Sequence, residues 1–206
     1  MLSLAFGLAV RYDALRENPV RETARLHKPP SQTMALTLEQ VDAIRAAVRS
    51  WRRAPGTPGP PPDGQLEQII EVMLGTSARI GEVLAMRKCD VDVTVSPATV
   101  RICGTMVSPT GKPTYRQPHP KTAKSTRVVS VPSFAAEVIR QRLVVVGQEA
   151  PDHLLFFTRH GTPLTTNNIR RRLRAVLSEA GIDAVTPHAF RRTVATFLDR
   201  ASGPDL

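Results

Sequence analysis

The sequence predicts a mainly helical α+β domain with a small three-stranded antiparallel sheet. Two patterns predict this fold class. Apolar residues recur at helical spacing through much of the chain, as in residues 38–48 and 169–177. Between residues 98 and 132 the pattern changes to the alternation that is typical of strands. The chain has 206 residues and a hydrophobic content of 41%, which is enough to bury a sizeable core.

The beginning of the chain differs in pattern from the rest. Residues 2–15 are apolar and predict a helix that stops near Asn18, because Pro19 disfavours helix in the residue before it. A stretch with paired prolines follows and is typical of a linker. We therefore expect a helix and linker over residues 1–33 and the main domain over residues 34–206.

The main domain is predicted to begin with a capped helix. Thr37 and Gln40 have the spacing of a capping box, in which each side chain bonds the backbone of the other residue. Gly181 stands where glycine commonly ends a helix. Helices are predicted over residues 38–48, 65–74, 80–87 and 133–146, from Thr165 or Thr166 to Gly181, and from Pro187 onward.

Three strands are predicted between these helices. They cover residues 99–102, 114–118 and 127–131. The connection between the second and third strands carries two lysines, Lys121 and Lys124, on a predicted turn.

The charge of the chain indicates a polyanionic partner. There are 28 Lys and Arg residues against 18 acidic ones, which gives a net charge of +10 and a sequence pI near 10.7. Nucleic acid is the expected partner. The alternative is a basic protein without such a partner, because net charge bears on association and solubility rather than on fold.

Cysteine usage and hydrophobicity indicate a cytoplasmic protein. The two cysteines, Cys89 and Cys103, have no metal-ligand or disulfide-framework spacing, so no disulfide framework and no zinc site are expected. The apolar residues 1–10 are too short to span a membrane and lack the pattern of a secretory signal. We expect no membrane association.

A histidine and an arginine lie one helical turn apart near the end of the sequence. Thr186 is predicted to cap this helix through its side-chain oxygen, and Pro187 suits the first helical position. His188 and Arg191 then share one face. A helix N-terminus attracts anions and an arginine fork grips two phosphate oxygens, so a phosphate site is indicated. The alternative is an ordinary half-exposed pair.

Three separated segments together resemble a known family. They are residues 76–84 (TSARIGEVL), 120–127 (PKTAKSTR) and 188–191 (HAFR). In this order, with a small sheet carrying the lysine, they resemble the catalytic domain of the tyrosine recombinases, the phage integrase family. The resemblance begins at about Thr37. The residues before Pro30 resemble the last helix of that family's core-binding domain.

The resemblance implies DNA recombination without a metal or nucleotide cofactor. Family members attack the scissile phosphate of duplex DNA with a tyrosine, form a phosphotyrosine link and act as tetramers on paired sites. By motif, Arg79 and Arg191 stabilise the transition-state charge and His188 bonds the phosphate or assists proton transfer. Lys121 protonates the leaving oxygen, with Lys124 as the competing assignment.

Further residues are expected to support the site or to bind DNA. Glu82 orients Arg79 or its helix, or else forms an ordinary surface pair with it. Several arginines either follow the DNA backbone or form a solvated helix face. These DNA-binding candidates, together with Lys124, are Arg127, Arg170, Arg171, Arg174 and Arg192.

The sequence departs from the family pattern in one respect. The family continues past His-x-x-Arg to a second His or Trp and then to the nucleophilic tyrosine, whereas the two tyrosines of this sequence are Tyr12 and Tyr115. Neither matches the position of the nucleophile. We expect a fragment truncated at both ends that binds duplex DNA without cleaving it unaided, so enzymatic activity and tetramer formation stay open.

Other function classes fit the sequence less well. One alternative is a non-catalytic DNA-binding accessory protein derived from an integrase. An RNA-binding protein is less consistent with an aromatic content of 4%, which offers few side chains for stacking bases. A metal-dependent nuclease would need an acidic cluster, which the sequence does not indicate.

Overall fold

The computed structural model describes residues 2–21, 23, 35–57, 61–119, 125–182 and 185–203. Within it the chain forms two compact units, Met1–Thr33 and Met34–Leu206. None of the helices in these described ranges is long and apolar enough to cross a membrane.

Residues 2–21 of the first unit form one helix, α1, over Leu2–Arg11. It is shorter than the predicted helix because Asp13 adopts a positive φ of 55°, which ends the helical path. Asn18 is buried, and its side-chain amide donates to the carbonyl of Ser3 at 2.8 Å. The side-chain oxygen of Asn18 also accepts the backbone N–H of Val20 at 3.1 Å. Asn18 therefore fastens the chain after α1 back onto the helix.

The described residues of the second unit form six α-helices, in agreement with the predicted helix set. The Thr37 capping box is confirmed, since Thr37 Oγ1 accepts the N–H of Gln40 at 3.2 Å and Gln40 Oε1 accepts the N–H of Thr37 at 2.9 Å. The helix predicted over residues 80–87 ends at Leu84, because Arg87 instead forms an isolated β-bridge with Leu154, ahead of a 3-10 turn at Lys88–Asp90. The helices are α2 (Leu38–Ser50), α3 (Gln65–Thr76), α4 (Ile80–Leu84), α5 (Ser133–Val146), α6 (Thr166–Glu179) and α7 (Pro187–Ser202).

Where the structure describes the chain, five short strands form two antiparallel sheets. The strands are β1 (Val91–Asp92), β2 (Thr99–Ile102), β3 (Thr105–Val107), β4 (Tyr115–Gln117) and β5 (Arg127–Ser130). The three-stranded sheet has the order β1-β2-β5, and β3 pairs with β4 in a separate sheet.

The predicted partner of one strand was wrong. The strand expected over residues 114–118 forms as β4, but it pairs with β3 rather than with the other two predicted strands. A strand has only two hydrogen-bonding edges, and those of β2 are taken by β1 and β5. The short connection after β3 instead closes β3 and β4 into a local hairpin.

Helix α3 lies at the centre of the core of the second unit. Its apolar side chains are buried against α5, α7 and α4. This placement brings the C-terminal end of α3 close to the start of both α4 and α7. The largest fully buried side chains of the core include Ile44, Ile69, Met73, Leu84, Ile102, Ile139, Phe156 and Phe190.

One buried hydroxyl fastens the start of the second unit to α7. Thr193 Oγ1 accepts the backbone N–H of Leu36 at 2.9 Å and donates to the carbonyl of Ala189 at 2.8 Å. The side chain is almost completely buried. Leaving a buried N–H without an acceptor costs the free energy of removing that group from water. This hydrogen bond therefore contributes more to stability than one on the surface.

We expect Thr193→Val to lower the free energy of unfolding by about 1–3 kcal/mol, because it leaves the N–H of Leu36 without an acceptor. Urea denaturation measures the change. Thr193→Ser keeps the hydroxyl and should recover most of the loss, and Thr196→Val, on the same helix, controls for the helix propensity of valine. Equal effects of the two valine substitutions would remove the hydrogen bond from the explanation.

Candidate functional site

A cleft of about 210 Å³ lies where the N-terminal ends of α4, α6 and α7 meet strand β3. Three arginines and one histidine line it, although they come from distant parts of the sequence. The lining residues are Arg79, Ile80, Gly81, Thr105, Met106, Thr166, Arg170, Pro187, His188 and Arg191.

Arg79 is held at the start of α4 by a buried carboxylate. Its backbone is extended at the N-cap position, and its N–H donates to Glu82 Oε2 at 2.9 Å. Its guanidinium Nη1 donates to Glu82 Oε1 at 2.9 Å. Half of the Arg79 side chain remains exposed, whereas the Glu82 side chain is only 3% exposed. Glu82 is therefore a buried support beneath Arg79 and not a member of a surface pair.

Glu82 also binds a second arginine. Arg127 Nη2 donates to Glu82 Oε2 at 3.1 Å. Burial by itself raises the pKa of Glu82, but the hydrogen bonds from the Arg79 backbone and from the Arg127 and Arg79 guanidinium groups outweigh it and lower the pKa below its usual value. Glu82 is therefore ionised at neutral pH.

Arg191 is held in place by the turn after α3. Its Nη1 donates to the carbonyl of Ser77 at 2.9 Å. Burial, followed by repulsion from Arg79 and Arg127, lowers the pKa of Arg191, and attraction to Glu82 opposes this only in part. Several positive charges lie close together here, so an anion bound at the cleft would reduce the repulsion that Arg191 experiences.

The start of α7 presents His188 and Arg191 to the same cleft. Pro187 occupies the first helical turn and Thr186 the N-cap, as predicted. The predicted side-chain cap was wrong: the Thr186 side chain accepts none of the helix N–H groups. The Thr186 carbonyl instead accepts the N–H of Ala189 at 2.8 Å, so the turn closes through the backbone.

Sequence reasoning missed the role of the turn at Ser77. Ser77 has a φ of 53°, in the left-handed region that residues other than glycine rarely adopt. Its N–H ends α3 by donating to the carbonyl of Met73 at 3.0 Å, and its own carbonyl accepts from Arg191. The turn thus places the Ser77 carbonyl where it accepts a hydrogen bond from Arg191, and it places Arg79 at the N-cap of α4. A glycine would have marked this conformation in the sequence, whereas a serine does not.

We expect Ser77→Val to destabilise the second unit by about 1–2 kcal/mol, because a β-branched residue is strongly disfavoured at positive φ. Ser77→Gly should keep or raise the stability, since glycine adopts this conformation without a steric cost. Urea denaturation of both variants measures the difference. A valine variant as stable as the glycine variant would contradict the strained conformation.

The remaining predicted residues fall into two groups. Lys121 and Lys124 lie outside the described residues. Arg170, Arg171, Arg174 and Arg192 are exposed, and of these Arg170 lines the cleft. Arg127, predicted as a DNA contact, is not among the lining residues and is bonded to Glu82. Thr105 and Thr166 line the cleft without having been singled out in the sequence.

Two further features bear on the chemistry. Within the described ranges, no group of three or more His, Cys, Asp and Glu side chains is arranged to hold a metal ion. Tyr115 lies on β4 with about half of its side chain exposed, and it is not among the residues that line the cleft.

Comparison with known proteins identifies relatives of the chain. The family model described as "Phage integrase family" matches residues 35–205. The chain is 28% identical to the tyrosine recombinase XerD of Corynebacterium glutamicum over 142 residues, which cover 67% of this chain and 40% of that protein. It is 26% identical to the tyrosine recombinase XerC of Chlamydia trachomatis (serovar D) over 207 residues, which cover 96% of this chain and 55% of that protein. The chain thus spans about half the length of these relatives.

Solved structures share the fold. The Tn1549 transposon integrase in complex with circular intermediate DNA matches with a TM-score of 0.74 and 18% identity, over 98% of this chain and 65% of that one. A lambda integrase dimer bound to a COC' core site matches with a TM-score of 0.62 and 19% identity, over 97% of this chain and 64% of that one. The predicted fold class is confirmed.

Proposed function

The chain belongs to the phage integrase family, and from this premise we propose that it holds duplex DNA for site-specific recombination of the tyrosine recombinase type. The observation that carries the proposal is the convergence of Arg79, His188 and Arg191 on one positively charged cleft. The recombinase names of its relatives and the DNA in the structures that share its fold support the same function. The proposed place of action is the cytoplasm, on a mobile element or chromosome.

The cleft suits the transition state of phosphoryl transfer. Attack on a phosphodiester produces a phosphorane whose non-bridging oxygens carry additional negative charge. Arg79 and Arg191 are each held by a protein acceptor, Glu82 and the Ser77 carbonyl respectively, so both guanidinium groups are already ordered at the cleft before this charge develops. The proposed role of both arginines is to stabilise that charge.

The remaining proposed roles concern protons and the nucleophile. His188 donates a hydrogen bond to a phosphate oxygen or transfers a proton, and Lys121 protonates the leaving oxygen, with Lys124 as its competitor. Because the phosphotyrosine link conserves bond energy, the reaction requires no nucleotide. We assign neither Tyr12 nor Tyr115 as the nucleophile and propose that this chain alone binds DNA without forming a covalent adduct.

Contacts to the rest of the DNA backbone are proposed for the exposed arginines of α6 and α7. Each neutralised phosphate releases a counterion, which makes affinity depend steeply on salt. With a net charge of +10 the chain has the long-range attraction that such binding requires. These proposed contacts are Arg170, Arg171, Arg174 and Arg192.

Fluorescence anisotropy of a labelled duplex, titrated with the chain from about 50 to 200 mM salt, tests the proposal. We expect the affinity to fall steeply with salt and the double variant Arg79→Ala/Arg191→Ala to bind far more weakly than the unmodified chain. Binding by the double variant that equals that of the unmodified chain would separate the cleft from DNA. A covalent protein–DNA band on a denaturing gel would contradict the proposed lack of a nucleophile.

The alternative of a non-catalytic accessory protein is not favoured. The relatives reported above are named tyrosine recombinases, and the roles that we propose for Arg79 and Arg191 concern a transition-state charge that DNA binding by itself does not require. Tetramer formation on paired sites stays a proposal by family membership.

A further inference from the structure

We propose that Arg127 is a positioning residue, which neutralises Glu82 so that Arg79 keeps its charge for the phosphate, rather than a residue that contacts DNA. The inference rests on the proposed function and deepens it.

Arg127 was predicted to contact DNA, but its hydrogen bonds are made to acceptors within the protein. Arg127 is the first residue of β5, and its Nη2 donates to Glu82 Oε2 at 3.1 Å. Its Nη1 donates to the carbonyl of Ser125 at 3.0 Å. The side chain is 29% exposed, compared with 50% for Arg79. Arg127 therefore joins the sheet to α4 beneath the cleft.

Glu82 needs a second cation because it is buried. A buried carboxylate that loses a partner is costly, since its charge is no longer solvated. If Arg79 alone compensated Glu82, the two charges would offset one another and Arg79 would attract a phosphate weakly. With Arg127 bound to the same carboxylate, the charge of Arg127 neutralises that of Glu82. The charges of Arg79 and Arg191 then act on the anion. Burial, followed by repulsion from Arg79 and Arg127, lowers the pKa of Arg191, whereas attraction to Glu82 opposes this, so the four groups lie close enough to act on one another.

The division of bonds on Glu82 supports the same conclusion. Oε1 accepts the guanidinium of Arg79, whereas Oε2 accepts both the Arg79 backbone N–H and Arg127. When a phosphate draws the Arg79 guanidinium away, Oε2 still keeps two donors. Glu82 then continues to hold the backbone at the start of α4. Arg127 thus allows the Arg79 side chain to move to a ligand without leaving a buried charge unpaired.

A double-mutant cycle between Arg127 and Glu82 tests the proposal in the full chain. Two ligands are titrated, a labelled DNA duplex and orthovanadate, which resembles the phosphorane. Arg127→Gln is expected to weaken the binding of both by about tenfold. In a Glu82→Gln background the same substitution should have little further effect, because the charge that it neutralises is gone. Arg127→Lys keeps the charge without the second bond and should recover part of the affinity.

A control arginine and a stability measurement exclude other roles. Arg101→Gln removes an arginine of the neighbouring strand β2 that pairs with Asp90, and it should leave orthovanadate binding unchanged. Urea denaturation of the four cycle variants reports folding without DNA. Because the pKa of Glu82 is lowered in the folded state, its contribution to stability is present at neutral pH and is lost as the pH falls through that lowered pKa. The destabilisation by Arg127→Gln should therefore shrink at acidic pH.

Three results would overturn the inference. An equal loss of DNA affinity in both Glu82 backgrounds, with a salt slope reduced by about 0.9, would make Arg127 a direct phosphate contact. If Arg127 and Glu82 were coupled in the free energy of unfolding but Arg127→Gln changed no ligand affinity, the role of Arg127 would be structural only. Orthovanadate binding that Arg127→Gln leaves unchanged would also contradict it. Failure of the proposed function itself is recognised separately, by unchanged binding in Arg79→Ala and Arg191→Ala.

Discussion

Arg191→Ala is expected to weaken orthovanadate binding by about 10- to 100-fold, because it removes charge-assisted hydrogen bonds at the centre of the cleft. Where the chain takes part in strand cleavage, the loss in rate should be about a hundredfold or more. The substitution also leaves the Ser77 carbonyl without the guanidinium that it binds. Isothermal titration of orthovanadate measures the first effect without any knowledge of the DNA target.

Two variants separate position from charge in this experiment. Arg200→Ala removes the same charge from the last turn of the same helix, far along α7 from the cleft residues. It should leave orthovanadate binding unchanged. Arg191→Lys keeps the charge but lacks the planar fork, so it should recover only part of the affinity. Equal losses for the alanine variants of Arg191 and Arg200 would show that net charge alone governs anion binding.

Gly75→Ala is expected to destabilise the second unit by about 1–3 kcal/mol or more, although alanine is the better helix former. Gly75 lies near the end of α3, where a Cβ atom would overlap with the Cβ of Ala135 on α5. Pro132 Cδ, at the N-cap of α5, would lie 3.4 Å from the same atom, so two residues of this segment crowd the added Cβ. The close approach of α3 and α5 therefore depends on the missing side chain.

The matched control for this prediction removes the opposing methyl group. In the double variant Gly75→Ala/Ala135→Gly the clash partner is absent, so urea denaturation should show that much of the lost stability returns relative to the single variants. A stability of Gly75→Ala above that of the unmodified chain would mean that helix propensity outweighs packing at this position. Because the Ser77 turn follows directly, the single variant should also weaken orthovanadate binding.

Local patterns in the sequence were sufficient for the helices and for the family. Capping and apolar periodicity depend on residues within a few positions of each other, and the starts of α2, α3, α4 and α7 lie where they were predicted. The three motif segments resemble the family because each is a short, local pattern. The match of the phage integrase family model over residues 35–205 confirms that resemblance.

Strand pairing could not be predicted in full, since it depends on residues far apart in the chain. The two-residue strand β1 is too short to show alternation, yet it takes one edge of β2. β5 takes the other edge of β2, and β4 pairs with β3 in a separate sheet. Competition for strand edges is a property of the assembled sheet and is not visible in any one segment.

The sequence by itself determined the helices, the basic charge and the residue types that a phosphate site requires. Only the tertiary structure decided which of those residues line the cleft and which support them from outside it. It brought Arg79, His188 and Arg191 to one cleft, and it turned Arg127 toward Glu82. The physical reason is that a side chain's role depends on its burial and on its charged neighbours, which come from segments that folding alone brings together.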